Sequence, residues 1–336
     1  MTPKARKRLF RLIGLPILTL LILICIAIGL LFTQQQRLVR LAVSDLNTKF
    51  PGRLEVNGSE ISVFQHFPYI SIGLQNVKFF PNKTDSAKAI YEAERLYVGF
   101  SLADILRQKY HVKVISLKNG HLDLVEEPDG QLNVIEASHM NSDSSAPTTN
   151  VKPTALDLDI KKIVLRNMDI SYLDPKERQR LFTHIDRIQS SFTDNDQLMD
   201  GTLDGNCIID FIRPGDSSLL RHRHLSTDIK FSYTKATRLL TLSEVRLQLE
   251  KAVFNLSGTA DLLHNNTVDL RFAGDRPDFS QLFSFAPETV AEELRHFRYD
   301  GDLEFKGTIK GPIAKGVQPR IDLNFACTNA WLDNTK

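Results

Sequence analysis

The stretch whose reading decides the fold is Tyr91–Glu136, YEAERLYVGFSLADILRQKYHVKVISLKNGHLDLVEEPDGQLNVIE. Leu96, Val98 and Phe100 alternate with other residues, the period of a strand with one apolar face. Ser101 then breaks the period, and Ser101–Gln108 reads as a short helix with Ser101 as its N-cap. The two-residue period returns at Val112–Leu117 and at Leu122–Val125. Pro128-Asp129-Gly130 supplies a turn, and Leu132 with Val134 predicts the start of another strand.

The same period extends outward on both sides. Towards the N-terminus it carries Leu54, Val56, Ile61 and Val63, then Ile70, Ile72 and Leu74, then Val77 and Phe79. Towards the C-terminus come Leu156–Ile160, Ile163 and Leu165, Met168–Tyr172, Ile229–Tyr233, Val245–Leu249, Phe254 and Leu256, Val268–Phe272, Leu303–Ile309 and Ile321–Phe325. Successive short strands favour antiparallel meanders, and too few helices remain to cover a parallel sheet. The fold class is therefore mostly β with a few short helices. Periodicity leaves open what covers the apolar faces: a second sheet, giving a sandwich, or an apolar ligand in a groove.

At the N-terminus, Leu12–Thr33 is an uncharged apolar run of about 22 residues, roughly 33 Å as a helix, enough to cross a bilayer core. Lys4, Arg6, Lys7, Arg8 and Arg11 precede it, which puts Met1 on the cytoplasmic side and the bulk of the chain outside. The run is longer than a signal-peptide core and ends without a small-x-small cleavage site, so an uncleaved single-pass anchor is expected. Val39, Val43, Leu46 and Phe50 then share one stripe at helical spacing, and Pro51-Gly52 stops that helix. The expected organisation is a tail and anchor at 1–33, an amphipathic helix at 34–50 and a first β segment at 51–137. A polar linker or loop at 138–153 and a second β segment at 154–336, with a helical insert at 278–296, complete it.

Composition bounds the function. The net charge is +2, from 42 basic and 40 acidic residues. Five of the positive charges flank the anchor, so no basic field for nucleic acid exists beyond it. Cys25, Cys207 and Cys327 do not make a disulfide framework, although Cys207 and Cys327 could pair in an oxidising compartment. Asp123, Glu126, Glu127 and Asp129 form an acidic patch, but at a strand end and turn, where solvated charge is the usual explanation. His222 and His224 share one face of a short stretch without a third metal ligand, and a basic sheet edge is the expected role. No G-x-S-x-G, H-E-x-x-H or P-loop pattern is present. No enzyme activity, cofactor or metal is therefore expected.

Tyr91–Glu136 resembles the AsmA family of bacterial envelope proteins. The shared pattern is a strand ending Val98-Gly99-Phe100-Ser101-Leu102, a short helix carrying Ile105-Leu106, two more strands, and Asp129-Gly130 with Asn133. Phe50–Val56, Phe67-Pro68, Leu74–Val77 and Phe279–Pro312 extend the likeness, including Tyr299–Leu303 and Gly307–Pro312. The resemblance implies an inner-membrane-anchored periplasmic protein with an elongated, twisted sheet forming an apolar groove. It also implies phospholipid binding and transfer in support of the outer membrane, with envelope proteins as partners. Family members are commonly longer, which makes this chain an expected fragment.

A groove would work by physical chemistry alone. Each methylene kept from water is worth about 0.8 kcal/mol, and alternate side chains of a strand can supply that shelter. The residues expected to line it are Ile70, Ile72, Leu74, Leu96, Val98, Phe100, Val112, Val114, Leu122 and Leu124. Two other readings compete: an envelope scaffold whose apolar faces form a closed core, and a tethered hydrolase, which would need convergent ionisable groups in a pocket.

Overall fold

The computed structural model of the chain describes residues 22–334, apart from 85–87, 129–130, 139–156, 213–220, 264–265, 275–296, 314–316 and scattered single positions, most of them between 27 and 50. Most of the apolar run, the 138–153 linker and the 278–296 insert thus lie outside the described residues.

The fold is one open, 14-stranded sheet with a few helices. Strands β1 (Arg53–Glu55) and β2 (Gly58–His66) both pair with β3 (Tyr69–Phe80). The order then follows the chain through β4 (Tyr91–Phe100), β5 (His111–Val125), β6 (Asp157–Asp174), β7 (Gln179–Asp194), β8 (Leu198–Ile212) and β9 (Arg223–Thr234). It continues through β10 (Leu239–Leu249), β11 (Ala252–Asp261), β12 (Thr267–Gly274) and β13 (Phe297–Pro312) to β14 (Arg320–Asn334). Every neighbour pair from β6 to β14 is antiparallel. The meander expected from the strand succession is what forms.

The helices are short or terminal. Described positions between 22 and 48 are helical (α1). Among them no helix is long and apolar enough to cross a membrane. Helix α2 (Leu102–Leu106) starts as the sequence indicates: the Ser101 hydroxyl accepts from the Asp104 amide at 3.1 Å. Helix α3 (Asn133–Ser138) corrects the expectation of a strand at Leu132–Val134. The Asn133 side chain accepts from the Val125 amide (3.1 Å) and donates to the Asp123 carbonyl (2.9 Å). That tie to the end of β5 turns the chain, and the buried Ala137 anchors the new helix.

Two compact units share this sheet: residues 1–117 with 135–160, and residues 118–134 with 161–336. The first holds a buried apolar core. Ile70, Ile72, Leu74, Val77, Phe100, Ile105 and Val112 cluster there, with Phe100 1% and Ile105 0% exposed. Ile28, Leu30 and Val39 of α1 and Leu102 and Leu106 of α2 pack against them. Asn47 of α1 brackets β1 by accepting from the Leu54 amide (2.6 Å) and donating to its carbonyl (3.0 Å). Of the stripe expected on this helix, Val39 reaches the core, Val43 is half-buried and Leu46 is exposed, while Phe50 lies outside the described residues.

A repeated asparagine sets the side-chain phase. Asn76, Asn119 and Asn167 sit at φ 48°, 53° and 50°, in Leu74-Gln75-Asn76, Leu117-Lys118-Asn119 and Leu165-Arg166-Asn167. Asparagine tolerates this left-handed backbone, which β-branched residues strongly resist. In β3 it lets Val77 rejoin Ile70, Ile72 and Leu74 in one cluster although the spacing from Leu74 is odd. In β5 and β6 two of these residues meet, Asn167 Nδ2 donating to Asn119 Oδ1 at 2.9 Å. Asn76→Val is expected to destabilise the fold by roughly 1–2 kcal/mol and Asn76→Gly by much less, read as shifts in urea midpoint.

Candidate functional site: an apolar face of the second unit

The ten residues nominated from the sequence fall into distinct environments. Ile70, Ile72, Leu74, Phe100 and Val112 belong to the buried cluster of the first unit. Leu96 and Val98 are half-buried against it, opposite Leu74 and Ile72. Val114 is fully buried outside that cluster, against Gly99. A Cβ on Gly99 would meet Val114 Cβ at 2.9 Å and Ser71 Oγ at 3.1 Å, and Ser71 alternates with Ile70 and Ile72. Leu122 and Leu124 are half-buried, beyond Asn119 and in the second unit. The first unit therefore covers its apolar side chains with helix rather than with a second sheet.

The second unit is built differently. Cross-strand registers join Ile163, Ser190, Leu203, Ile229, Val245, Leu256, Phe272, Gly307 and Leu323 into one row running across β6 to β14. Neighbouring strands lie about 4.8 Å apart, so the row extends roughly 38 Å. A second row on the same face joins Phe192, Gly201, Phe231, Leu242, Gly258, Leu270, Ile309 and Ile321. Aromatic rings fill the glycine gaps. A Cβ on Gly201 would collide with the Phe231 ring, and one on Gly307 with that of Phe272. Phe231 also meets Phe192 edge-on at 6.3 Å, and Phe305 touches Phe254 (5.6 Å) and Phe272 (5.4 Å).

Burial along these strands marks a surface that is partly shielded. In β9, Leu225, Ile229 and Phe231 are half-buried while His224, Ser226, Asp228 and Lys230 are exposed. Leu203, Leu256, Leu270 and Phe272 are likewise half-buried, and Ile321 and Leu323 are exposed. Such a surface still exposes apolar area that an acyl chain could cover, at about 25 cal/mol per Å². No side chain on the rows offers a charge.

The opposite face is aqueous. Ser191, Thr202, Lys230 and Glu244 form one polar row, and Asp228, Arg246, Asn255, Ala273, Lys306 and Asn324 another. Lys230 pairs with Glu244 at 2.6 Å and Lys310 with Asp269 at 3.1 Å. A cavity of about 790 Å³ beside the β10 bulge is lined by Asp228, Glu244, Arg246, Arg271 and Lys306 together with uncharged neighbours. The charges there are of mixed sign, two acidic and three basic, so no strong field of one sign is focused.

The other sequence candidates have structural partners. Asp123 accepts from the Ser171 hydroxyl (2.6 Å) and Glu126 from that of Tyr172 (2.7 Å), tying β5 to β6. The bond to Glu126, then burial, pushes the Tyr172 phenol up to about 12. Asp129 lies outside the described residues. His222 and His224 flank the start of β9, an internal strand, which corrects the expected sheet edge. Their backbone amides donate to Asp210 (2.6 Å) and Glu250 (2.8 Å). No group of three or more metal-binding side chains occurs among the described residues. Cys207 is a free, buried thiol. Burial, with Asp186 nearby, raises its pKa above the usual range, so thiol reagents at pH 8 are expected to label it only after denaturation.

The sequence profile of the AsmA family matches residues 3–262. The chain belongs to the AsmA family. No curated protein sequence matches it significantly. The family match spans both units and most of the apolar rows, from β6 to β11. In this AsmA-family chain the sequence pattern marks β9 to β14 as strands, none of whose residues is among the ten expected to line a groove, and it marks β8 only by the strand-like stretch around Cys207 and β7 not at all. Leu181, Thr183 and Ile185 in β7, and Leu203, Gly205 and Cys207 in β8, do keep a period of two. Threonine, glycine and cysteine at half of those positions weakened the signal.

Proposed function

We propose that this AsmA-family chain is an envelope protein of the bacterial inner membrane that binds phospholipid acyl chains along the apolar rows of its second unit and conducts them in support of the outer membrane. Residues 12–33 serve as its single-pass anchor, with Met1 cytoplasmic and the sheet in the periplasm. The observation that carries the reading is the row from Ile163 to Leu323, apolar except at Ser190 and Gly307, in which Ile163, Leu203, Ile229, Leu256 and Phe272 are half-buried, Val245 is buried and Leu323 is exposed, on strands whose other face is polar. An acyl chain crossing from strand to strand meets carbon at nearly every step, while its head group stays in water. The reading needs no covalent step and no cofactor. Envelope proteins at the far membrane would receive the lipid.

A scaffold role is the second reading, and the sealed core of the first unit favours it. Photo-crosslinking in growing bacteria separates the two. A photoreactive residue at Leu203, Ile229 or Leu256 is expected to capture phospholipid, and one at Thr202 or Ser257 is expected not to. Equal or absent lipid capture at the two sets would leave only the scaffold.

A further inference from the structure

The β2–β3 hairpin presents an apolar tip that stays uncovered among the described residues. Phe64 is 87% and Phe67 68% exposed. Exposing two phenylalanines side by side in a hairpin is unfavourable in water. The hairpin is nonetheless held firmly. His66 pairs with Tyr69 across it, its Nδ1 lies 3.2 Å from Ser71 Oγ, and its ring sits 5.4 Å from that of Tyr97. The turn that carries Phe67 is thus held in place, and the ladder shifts register between Ser62 and His66, around Phe64.

A second observation bears on what could cover them. Ile28 and Leu30 of α1 pack against the core cluster of the first unit. Both lie within the apolar run 12–33, and Val63 and Ile70, at the base of the hairpin, belong to the same packed group. Other positions of the run, Ile22, Leu23, Ile26 and Phe32, stay exposed. A run seated in a bilayer while two of its residues touch the β core brings that core down to the membrane surface. Beyond the run, Arg37 and Arg40 are exposed on α1.

We propose that the β2–β3 hairpin inserts Phe64 and Phe67 into the outer leaflet of the membrane that holds the anchor, seating the first unit directly on the lipid surface. The proposal rests on the anchored reading given above. Its partner is the bilayer itself. A hairpin seated there would bring the near end of the sheet to where phospholipid is drawn from the leaflet.

The test uses the full chain with Trp331→Phe, which removes the only tryptophan, and with Phe64→Trp or Phe67→Trp. Both positions are exposed, so neither change disturbs the core. The protein is reconstituted into vesicles of phosphatidylethanolamine and phosphatidylglycerol, with and without bromine on the acyl chains, and floated on a density gradient. The expected result is flotation, a blue-shifted emission, and loss of about half of it to brominated chains, as for a ring buried roughly 5–10 Å deep. Flotation with unquenched, water-like emission overturns the proposal and leaves the anchor intact. Flotation with a blue shift but no bromine quenching also overturns it, because a second copy or another protein then covers the rings. Failure to float overturns the anchored reading and the proposal with it.

Discussion

Leu256→Asp is expected to strip phospholipid from the second unit, while Ser257→Asp, one residue along β11, leaves it bound. Leu256 sits mid-row between Val245 and Phe272, and Ser257 faces the polar side opposite Arg271. A carboxylate pressed against acyl chains has no partner and loses its water, a penalty of several kcal/mol. Each 1.4 kcal/mol is about tenfold in affinity, so bound phospholipid should fall at least about tenfold. The aspartate at 257 gains Arg271 as a neighbour and stays wet. Phosphorus per protein, measured on full-length chain after equal detergent washing, reads both variants. Equal retention would remove the apolar row from the mechanism.

Phe100→Ala is expected to produce the opposite pattern: a large loss of stability with lipid retained by the second unit. The Phe100 side chain is in effect fully buried, opposite Ile70 and edge-on to Tyr110 at 6.1 Å. Truncating such a ring costs about 3–5 kcal/mol, in lost transfer energy and a residual cavity. No residue of the second unit belongs to the cluster around Phe100. Urea unfolding followed by near-ultraviolet signals should show the early loss of the first unit. A cost below about 1 kcal/mol would mean that Phe100 lines an open surface rather than a core.

This contrast marks how far the sequence could be read. Strand succession, the antiparallel order and the Ser101 cap were legible because they depend on local period and local hydrogen bonding. The identity of the uncovered face was not. Ile70, Ile72 and Leu74 have the same alternation as Ile229 and Phe231, yet the first set is covered by α1 and α2 and the second is half-open. Period reports that a face is apolar and is silent about what lies over it. Val114 shows a second limit. It shares parity with Leu122 and Leu124, but Asn119 at φ 53° intervenes between them and breaks the alternation. Asparagine in the Leu-x-Asn motif was the available signal, since few other residues accept that backbone. Asn133 was misread for a related reason: its side chain bonds the end of β5, a contact no strand pattern encodes.

The central claim is that the apolar rows of the second unit are open and carry fatty chains. A cryo-electron microscopy map of the full chain in lipid nanodiscs tests it most directly. The account predicts tubular density running across the strands over Leu203, Ile229, Val245, Leu256 and Phe272. A map in which side chains of the protein itself fill that face, with no lipid density over it, would contradict the account.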